Sequence, residues 1–423
     1  MTQNATVWRP YAQMQTALPA REIVSTEGAT LTLADGRKLI DGVASWWTAC
    51  HGYNHPHIIQ AIQQQAATLP HFMLGELIHQ PAQTLAKKLS KLLPGDLNHV
   101  FYSESGSVAV EIAMKMALQY WINHQTPERQ QFVYFQHGYH GDTFFTMSVS
   151  DPQDGIHPPF QTMLPPQLLR PIPTTASLLE EFEKWLSNNS HRIAALILEP
   201  LVQGAGGMKI YSTDTLRAIC ELCRRFDVLI IMDEVFTGFG RTGSLFAIEQ
   251  ADVLPDIVCL SKALTGGTLP LAATIARHHV FQAFLGETPD KGLMHGTTFM
   301  GNALACAAAN ASLDLFASQP RIQQVALIEE LLMAELQTLK DVPGVKDVRV
   351  KGAIGVVQLA KPMTTELNWF KQRFIEDGVW CRPFGDIVYT TPALTISHEE
   401  LLSITNAIVK QVTTWSKHFY THK

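Results

Sequence analysis

Residues 215–234, TLRAICELCRRFDVLIIMDE, contain the pattern that decides the fold. Apolar side chains within 215–226 recur three and four residues apart, which is typical of an amphipathic helix. Residues 228–232 are apolar without interruption, and two acidic residues follow them. A strand that is apolar on both faces usually lies in a parallel sheet covered by helices. The stretch therefore predicts a helix that leads into a buried parallel strand.

The same alternation continues through the middle of the chain. Strand-like apolar runs and one further helical pattern occupy 99–103, 108–122, 131–135, 194–200 and 256–262. Strands separated by amphipathic helices indicate the α/β class with a mostly parallel sheet. We expect residues 46–300 to form this large domain.

The pattern changes toward the C-terminus, where residues 345–360 alternate between apolar and polar as two antiparallel strands do. We expect residues 301–423 to form a smaller α+β domain. Residues 30–41, TLTLADGRKLID, predict a hairpin because an Asp-Gly pair separates two alternating runs. We expect residues 1–45, which include this hairpin, to pack with the small domain.

Composition and charge exclude several classes of protein. Of the 423 residues, 46% are hydrophobic and 17% are charged, which indicates a folded globular protein rather than a disordered one. The net charge is −6 and the basic residues are scattered, so we expect no nucleic-acid partner and no membrane partner. The apolar runs are of strand length, too short to span a bilayer. We therefore expect small-molecule chemistry.

The six cysteines and the N-terminus point to the cytoplasm. The cysteines lie mostly in apolar surroundings, and MTQNATVWRP lacks the basic and apolar regions of a signal peptide. Cys220 and Cys223 form a CxxC pair, but they lie within a helical pattern and no second pair follows at zinc spacing. We expect free thiols, a reducing compartment and no metal site.

Polar residues follow three of the predicted strands, and the first set is Ser103-Glu104-Ser105-Gly106-Ser107. A strand passes here directly into a helix. The unpaired N–H groups and the positive dipole of a helix N-terminus suit a phosphate group. Ser105 or Ser107 would equally serve as an N-cap that binds no ligand. The residues alone leave both interpretations open.

Asp233 and Lys262 come at the ends of two further strands. A buried carboxylate requires a partner, and a salt bridge to Arg241 or an N-cap would satisfy Asp233 without any function. Lys262 follows 29 positions later, which leaves room for one crossover, so both side chains are expected at one edge of the sheet. Burial lowers the pKa of a lysine and makes its amine a nucleophile toward carbonyls. The following Gly266-Gly267 permits a sharp turn.

A helix N-terminus, an acid and a reactive lysine together fit one cofactor, pyridoxal 5′-phosphate. Its aldehyde condenses with a lysine, its ring nitrogen needs an acid to stay protonated, and its phosphate suits backbone N–H groups. Each residue alone is ambiguous, whereas the combination is specific.

Six motifs resemble class III aminotransferases of fold type I, across essentially the whole chain. They are SGSVAVEIAMK, GYHGDTF, EPLVQGAGGM, MDEVFTGFGRTG, LSKALTGG and HGTTFMGNALA. The resemblance implies a homodimer with shared active sites, in which Lys262 is the catalytic residue that carries the cofactor and moves the substrate proton. It also implies a set of cofactor-binding residues, namely Gly106, Ser107, Tyr139, Asp233, Lys262, Thr297 and Thr298. Thr298 would reach the phosphate from the neighbouring subunit.

Further stretches, among them SWWTACHGYNHP and VWCRPFGDIVY, resemble a subgroup that aminates 8-amino-7-oxononanoate in biotin biosynthesis, with S-adenosylmethionine as donor. The resemblance implies substrate-binding roles for Tyr11, Trp46, Trp47, Tyr139, Lys262, Gly296 and Arg382. Arg382 would bind a carboxylate in bidentate fashion, and the aromatic rings would face the carbon chain or the sulfonium. Because adjacent residues of a strand face opposite ways, we expect one tryptophan to line the pocket, and the family match favours Trp46.

The chain departs from its apparent relatives at four positions. Tyr389 and Ala205 stand where ornithine- and aminobutyrate-type relatives carry an arginine and a glutamate that pair with each other. Because both members of this ion pair are absent, the chain lacks one group that controls carboxylate binding, and no charge is left unpaired. This disfavours ω-amino acid donors. Thr297 and Ala303 stand where members of the subgroup usually have proline, on the loop expected to reach the phosphate.

Two alternative functions remain open at this point. One is another class III aminotransferase that uses a diamine or an ω-amino donor. The other is a non-catalytic protein that keeps the cofactor-binding fold. Donor profiling tests the first, and an absorbance band of lysine-bound cofactor that shifts with donor tests the second.

Overall fold

The computed structural model describes residues 6–154 and 158–420. The strands are β1 (Ile23–Glu27), β2 (Thr30–Leu33), β3 (Lys38–Asp41), β4 (Leu97–Ser103), β5 (Gln131–Phe135), β6 (Leu168–Arg170), β7 (Ile193–Leu198), β8 (Val202–Gln203), β9 (Lys209–Ile210), β10 (Leu229–Asp233), β11 (Ile257–Leu260), β12 (Ala272–Arg277), β13 (Val345–Lys351), β14 (Ile354–Leu359), β15 (Val379–Trp380) and β16 (Ile387–Thr390). The helices are α1 (Ala44–Trp47), α2 (Pro56–Thr68), α3 (Gln80–Leu92), α4 (Gly106–Asn123), α5 (Phe144–Met147), α6 (Ala176–Asn189), α7 (Thr213–Arg225), α8 (Ala247–Ala251), α9 (His278–Gln282), α10 (Ala303–Ser318), α11 (Arg321–Leu336), α12 (Glu366–Glu376) and α13 (His398–Trp415).

Seven strands form the central sheet in the order β4-β12-β11-β10-β7-β5-β6. The five strands from β11 to β6 are parallel. β12 is antiparallel to both of its neighbours, β11 and β4. Because β12 reverses direction between them, β4 runs the same way as β11 and β10. The carboxyl ends of these three strands therefore meet at one edge, where open α/β sheets bind ligands.

The helix and the strand predicted within residues 215–234 are both present, as α7 and β10. Every residue of β10 is buried, and α7 buries one face that includes Ile219, Cys220 and Cys223. The predicted α/β fold with a large, mostly parallel sheet is confirmed. No helix within the two described ranges has the length and apolar character needed to cross a membrane.

Two smaller sheets involve the ends of the chain. The predicted hairpin is confirmed as β2 and β3, which pair antiparallel, and β15 joins the free edge of β3 in parallel. The predicted strand pair at 345–360 is confirmed as β13 and β14, and β16 completes its three-stranded sheet. A C-terminal strand thus extends the N-terminal sheet. The division of the chain at residues 45 and 300 stays a prediction.

The turn α1 contains both tryptophans and has a left-handed backbone. Its four residues have φ values of 46°, 51°, 63° and 75°. The Asp41 carboxylate accepts hydrogen bonds from the backbone N–H groups of Val43 and Ser45, both at 2.8 Å, and so holds the entry to this turn. Side chains on such a turn do not alternate between two faces as they do on a strand. The expectation that Trp46 and Trp47 belong to a strand is therefore wrong.

Candidate active site

Lys262 lies two residues beyond the end of β11 and opens a short 3-10 turn, Lys262–Thr265, rather than ending the strand as predicted. Its φ of 46° is in the left-handed region, which is uncommon for a residue with a side chain. The residue keeps some exposure, but its amine lies deep within the protein. Burial lowers the pKa of this amine below its ordinary value of 10.5, which favours the neutral, nucleophilic form.

Asp233 ends β10, the strand next to β11, and its carboxylate is buried. One carboxylate oxygen lies 2.8 Å from Nδ1 of His140, and the other accepts a hydrogen bond from the backbone N–H of Val235. His140 is itself buried, so the pair is shielded from water. The acid therefore has the specific partner that its burial requires, and that partner is a histidine.

Arg241, the partner considered from sequence, makes other contacts. Its guanidinium donates to the backbone carbonyls of Ala353 at 3.1 Å and Pro392 at 2.7 Å. These bonds tie the segment that follows β10 to the C-terminal part of the chain. A salt bridge between Asp233 and Arg241 is therefore not the reason that Asp233 is buried.

Glu199 is a second buried acid close to Lys262. It accepts hydrogen bonds from the backbone N–H groups of Tyr139 at 3.2 Å and Gly204 at 2.8 Å. Burial raises the pKa of this carboxyl to about 7, and the nearby Asp233 adds to the shift. Glu199 thereby fixes the backbone at the start of the segment that contains Tyr139.

Helix α4 begins at Gly106, directly after β4, as the sequence indicated. The Ser105 side chain is the N-cap and accepts from the backbone N–H of Val108. The Ser107 hydroxyl accepts from the backbone N–H of Asp142, and among the described residues it has no acceptor of its own. A Cβ atom at Gly106 would lie 2.7 Å from a methyl carbon of Val235, which explains the glycine there. Ser105 caps the helix, whereas Ser107 contacts the segment that contains Asp142, so the two sequence interpretations are compatible.

Tyr11 and Tyr139 meet at Asp142. Tyr139 donates its hydroxyl proton to one oxygen of the Asp142 carboxylate at 2.8 Å, and Tyr11 donates to the other oxygen. The two hydroxyl oxygens are 3.3 Å apart. Burial, followed by the Asp142 hydrogen bond, raises the pKa of Tyr11 to about 12. Both phenols are therefore neutral donors at physiological pH.

Both tryptophans of α1 lie against residues of the site. The Cζ atom of Arg382 lies 3.9 Å from the centroid of the Trp46 ring, and Tyr11 packs edge-on against the same ring. The Lys262 amine lies 4.6 Å from the centroid of the Trp47 ring. The left-handed turn thus brings both rings toward the site, where strand geometry predicted one.

The loop with Gly296, Thr297 and Thr298 lies beside the start of helix α4. The Thr297 hydroxyl donates to the carboxylate of Glu104, two residues before Gly106. Gly296 and Thr298 are exposed in the single chain. The tryptophans, the tyrosines and Asp233 come together around Lys262, whereas Gly296 and Thr298 face outward.

Sequence reasoning missed His140 as the partner of Asp233 and Asp142 as the acceptor for both tyrosines. Both residues belong to the GYHGD motif, residues 138–142, in which the sequence predicted a specific contact only for Tyr139. A polar motif between predicted elements was the available signal. Within the two described ranges, no cluster of three or more His, Cys, Asp or Glu side chains is arranged to hold a metal ion.

Comparisons with known proteins agree on one family. The family model described as "Aminotransferase class-III" matches residues 11–412. The chain is 42% identical to the adenosylmethionine-8-amino-7-oxononanoate aminotransferase of Buchnera aphidicola subsp. Acyrthosiphon pisum (strain APS) over 413 residues, with 95% of each chain covered. It is also 42% identical to the enzyme of that name from Corynebacterium glutamicum over 409 residues, with 95% of each chain covered.

Solved structures show the same relationship. The crystal structure of adenosylmethionine-8-amino-7-oxononanoate aminotransferase from Methanocaldococcus jannaschii superposes with a TM-score of 0.93 at 34% identity, covering 97% of each chain. An (S)-enantioselective omega-transaminase from Thermomicrobium roseum superposes with a TM-score of 0.89 at 28% identity, covering 96% of this chain and 95% of its own. The resemblance read from the six motifs is confirmed, and the chain belongs to the class III aminotransferase family.

Proposed function

We propose that this chain transfers an amino group from S-adenosylmethionine to 8-amino-7-oxononanoate, which gives 7,8-diaminononanoate in biotin biosynthesis, with pyridoxal 5′-phosphate as cofactor. The observation that carries the proposal is the deep Lys262 amine, which interacts with the carboxylate of Asp233 on the neighbouring strand. The names of relatives at about 42% identity over 95% of the chain support the choice of substrates.

The residues present fit this cofactor at both of its ends. Gly106 and Ser107 contribute the first N–H groups of α4, which have no acceptor within the helix and suit a phosphate. At the other end, Asp233 is an acid that His140 holds in place, as the pyridine nitrogen requires. Lys262 supplies a neutral amine because burial lowers its pKa. The chemical character of all three groups matches the cofactor.

When bound, the cofactor withdraws electrons from the carbon that carries the amino group. Asp233, held in place by His140, would be the residue that binds the ring nitrogen. The Lys262 amine, which burial keeps neutral, would take up the substrate proton and return it, as a general base and acid. Tyr139, fixed by Glu199 through its backbone and by Asp142 through its hydroxyl, would hold the cofactor ring and line the substrate pocket.

Arg382 and the rings of Trp46 and Trp47 would bind the substrates. Within the described residues the Arg382 guanidinium has no hydrogen bond or ion pair, so its donors are free to bind a carboxylate. Trp46 supports this guanidinium from one face. Tyr11 would close the same pocket through Asp142.

We also propose a cytoplasmic homodimer whose partner supplies Gly296, Thr297 and Thr298 to the site, with the domain division given above. The support is an exposed apolar surface formed by segments 69–79 and 294–301. The two segments are joined by a 2.9 Å hydrogen bond between His79 and the Gly301 carbonyl. Met73, Leu77 and Met294 are 57%, 63% and 74% exposed, which is unusual for such side chains unless another subunit covers them.

The proposal is tested with purified full-length protein loaded with pyridoxal 5′-phosphate. We expect 7,8-diaminononanoate, detected by mass spectrometry, with S-adenosylmethionine as donor, and no product from Lys262→Ala. Lys346→Ala, at an exposed position, is the control and should keep full activity. Full turnover by Lys262→Ala would overturn the mechanism.

Donor choice is tested by the shift of the cofactor absorbance when S-adenosylmethionine or lysine is added. The similarity to omega-transaminases makes another amine donor the second candidate. A response to lysine or a diamine, with none to S-adenosylmethionine, would favour that candidate. Binding of cofactor without a response to any donor would favour a non-catalytic protein.

A further inference from the structure

His51 lies behind the turn that carries Lys262, in a chain of buried polar groups that the proposed function does not use. His51, Ser312 and Arg321 are 3%, 0% and 5% exposed. Nε of Arg321 donates to Nδ1 of His51 at 3.0 Å, and Nε2 of His51 lies 3.1 Å from the Ser312 hydroxyl. Three polar side chains from α10, α11 and the segment after α1 thus meet in the core.

The direction of these hydrogen bonds is determined by chemistry. An arginine N–H can only donate, so Nδ1 of His51 must accept and the ring proton must lie on Nε2. That proton is donated to Ser312, whose hydroxyl then donates to the Ala263 carbonyl at 3.4 Å. The sequence of donors therefore runs from Arg321 through His51 and Ser312 to the residue that follows Lys262.

The ring of His51 is held neutral in this place. Burial and the neighbouring charges of Arg321 and His55 lower its pKa to about 3. Within the described residues no carboxylate pairs with Arg321, whose only other side-chain partner is Gln324 at 2.8 Å. A buried arginine without a carboxylate partner is costly, and the N–H that it directs at Nδ1 leaves only one tautomer of His51 able to accept.

The turn that receives this chain requires support from outside. Lys262 has a φ of 46°, a conformation that persists in a residue with a side chain only when the surrounding structure holds it. The turn rests directly on the segment that contains His51, because a Cβ atom at Gly267 would lie 2.8 Å from the backbone nitrogen of Ala49. The Cys50 thiol also approaches the Ala263 carbonyl, at 3.6 Å.

We propose that His51 is a positioning residue for Lys262, which it holds in its left-handed turn through Ser312 and the Ala263 carbonyl. This inference rests on the proposed function, since it concerns the lysine that would carry the cofactor. His51 contacts neither substrate nor cofactor in this role. Its effect is to keep the amine at one place and away from water.

The test is a pH titration of the absorbance of the cofactor-loaded protein, in which the lysine-linked nitrogen gains or loses a proton. Burial disfavours the protonated form, so a loosened turn that admits water should raise the midpoint. For Ser312→Ala and His51→Phe we expect the midpoint to rise by about half a pH unit, a threefold change in the protonation equilibrium. Asp233, Glu199 and Asp142, which face the amine, are unchanged in these variants.

Two further variants make the comparison specific. His51→Gln can accept from Arg321 through its oxygen and donate to Ser312 through its nitrogen, so its midpoint should stay close to the wild-type value. Ser318→Ala lies on the same helix, but its exposed hydroxyl bonds only its own helix, to the Asp314 carbonyl, so it is the control. Ser312→Ala removes one oxygen atom and is the variant least disruptive to folding.

Two measurements distinguish a failure of this inference from a failure of the proposed function. If Ser312→Ala and His51→Phe lower the melting temperature but leave the midpoint unchanged, the chain of hydrogen bonds is only structural and the inference fails. Borohydride reduction followed by peptide mass spectrometry reports separately whether Lys262 carries the cofactor in the wild type. If it does not, the proposed function itself fails.

Discussion

The Cζ atom of Arg382 lies 3.9 Å from the centroid of the Trp46 ring, while no carboxylate among the described residues binds this guanidinium. A guanidinium supported by an aromatic face keeps a fixed plane and can present two parallel N–H groups to a carboxylate. Trp46 occupies this position because α1 is left-handed. The geometry of a four-residue turn thus prepares a site for one end of a substrate.

We predict that Arg382→Gln lowers kcat/KM for 8-amino-7-oxononanoate by about 100-fold. Losing a charge-assisted hydrogen-bonded pair costs about 1.5–3 kcal/mol, which corresponds to a factor of roughly ten to a hundred. Steady-state kinetics measure the change. The control is Arg373→Gln, an exposed arginine on α12 that pairs with Glu376. A kcat/KM within threefold of wild type would show that Arg382 does not bind the carboxylate.

We predict that Asp233→Asn lowers kcat by at least about 100-fold while the protein still folds. An amide has nearly the same shape and can still bond to His140, but it lacks the charge that would stabilise the cofactor ring, and such electrostatic support is typically worth a factor of 100 to 1,000. The measurements are kcat and the absorbance spectrum of the loaded protein. Asp252→Asn, at an exposed left-handed position, is the control. Unchanged kcat in Asp233→Asn would exclude this role.

We predict that Glu234→Gln becomes more stable relative to wild type as the pH rises from 4.5 to 7. Burial raises the pKa of Glu234 to about 7, so between these values the folded protein holds a proton that the unfolded chain has released. The free energy of unfolding of the wild type therefore falls across this window, by an amount on the order of 3 kcal/mol for a shift of this size. Glu234→Gln has no carboxyl group at this position to titrate, so its free energy of unfolding does not undergo this decrease.

Melting temperatures of both proteins at pH 5 and pH 8 test the prediction. The amide can still accept from the backbone N–H of Ile248, as the wild-type carboxyl does at 2.9 Å, so the fold should be preserved. Glu221→Gln, at an exposed position on α7, controls for the change in charge. A difference in melting temperature that is the same at both pH values would contradict the assignment.

We predict that Leu77→Arg separates the proposed homodimer and reduces activity at the same time. The leucine is 63% exposed in one chain, and a charge buried against a second subunit would be left without a partner. Light scattering should show a shift toward the 47.0 kDa monomer, together with a loss of product formation. Leu327→Arg is the control because Leu327 is 65% exposed on α11, outside the proposed interface. An active monomer would overturn the shared site.

The sequence alone predicted those secondary-structure elements that are determined by a local pattern of apolar and turn residues. The runs at 131–135 and 228–234 became β5 and β10 with bounds that match closely, because strands buried on both faces have few other ways to hide apolar side chains. The hairpin at 30–41 followed from its Asp-Gly turn. The reversed strand β12 was missed, because the direction of a strand is set by its distant neighbours β4 and β11 and not by its own residues.

The candidate site also has residues that the sequence predicted and others that it did not. The positions of Gly106, Asp233 and Lys262 at one edge follow from parallel strands, and the sequence predicted them together. The partner of Asp233 could not be predicted, since His140 arrives from a loop far away in the chain. The left-handed backbone of α1 could not be predicted either, because Ala-Ser-Trp-Trp contains no glycine or asparagine to indicate positive φ.

The reversed strand β12 also makes completion of the central sheet depend on a late part of the chain. β4, which leads into Gly106, and β11, which leads into Lys262, are linked within the sheet only by β12, which comes after both along the chain. During synthesis, a chain that ends before residue 272 can pair β10 with β11 but has no strand on which to dock β4. The hydrogen-bonded sheet that joins the two ends of the proposed cofactor site is therefore completed only after β12 has been synthesised.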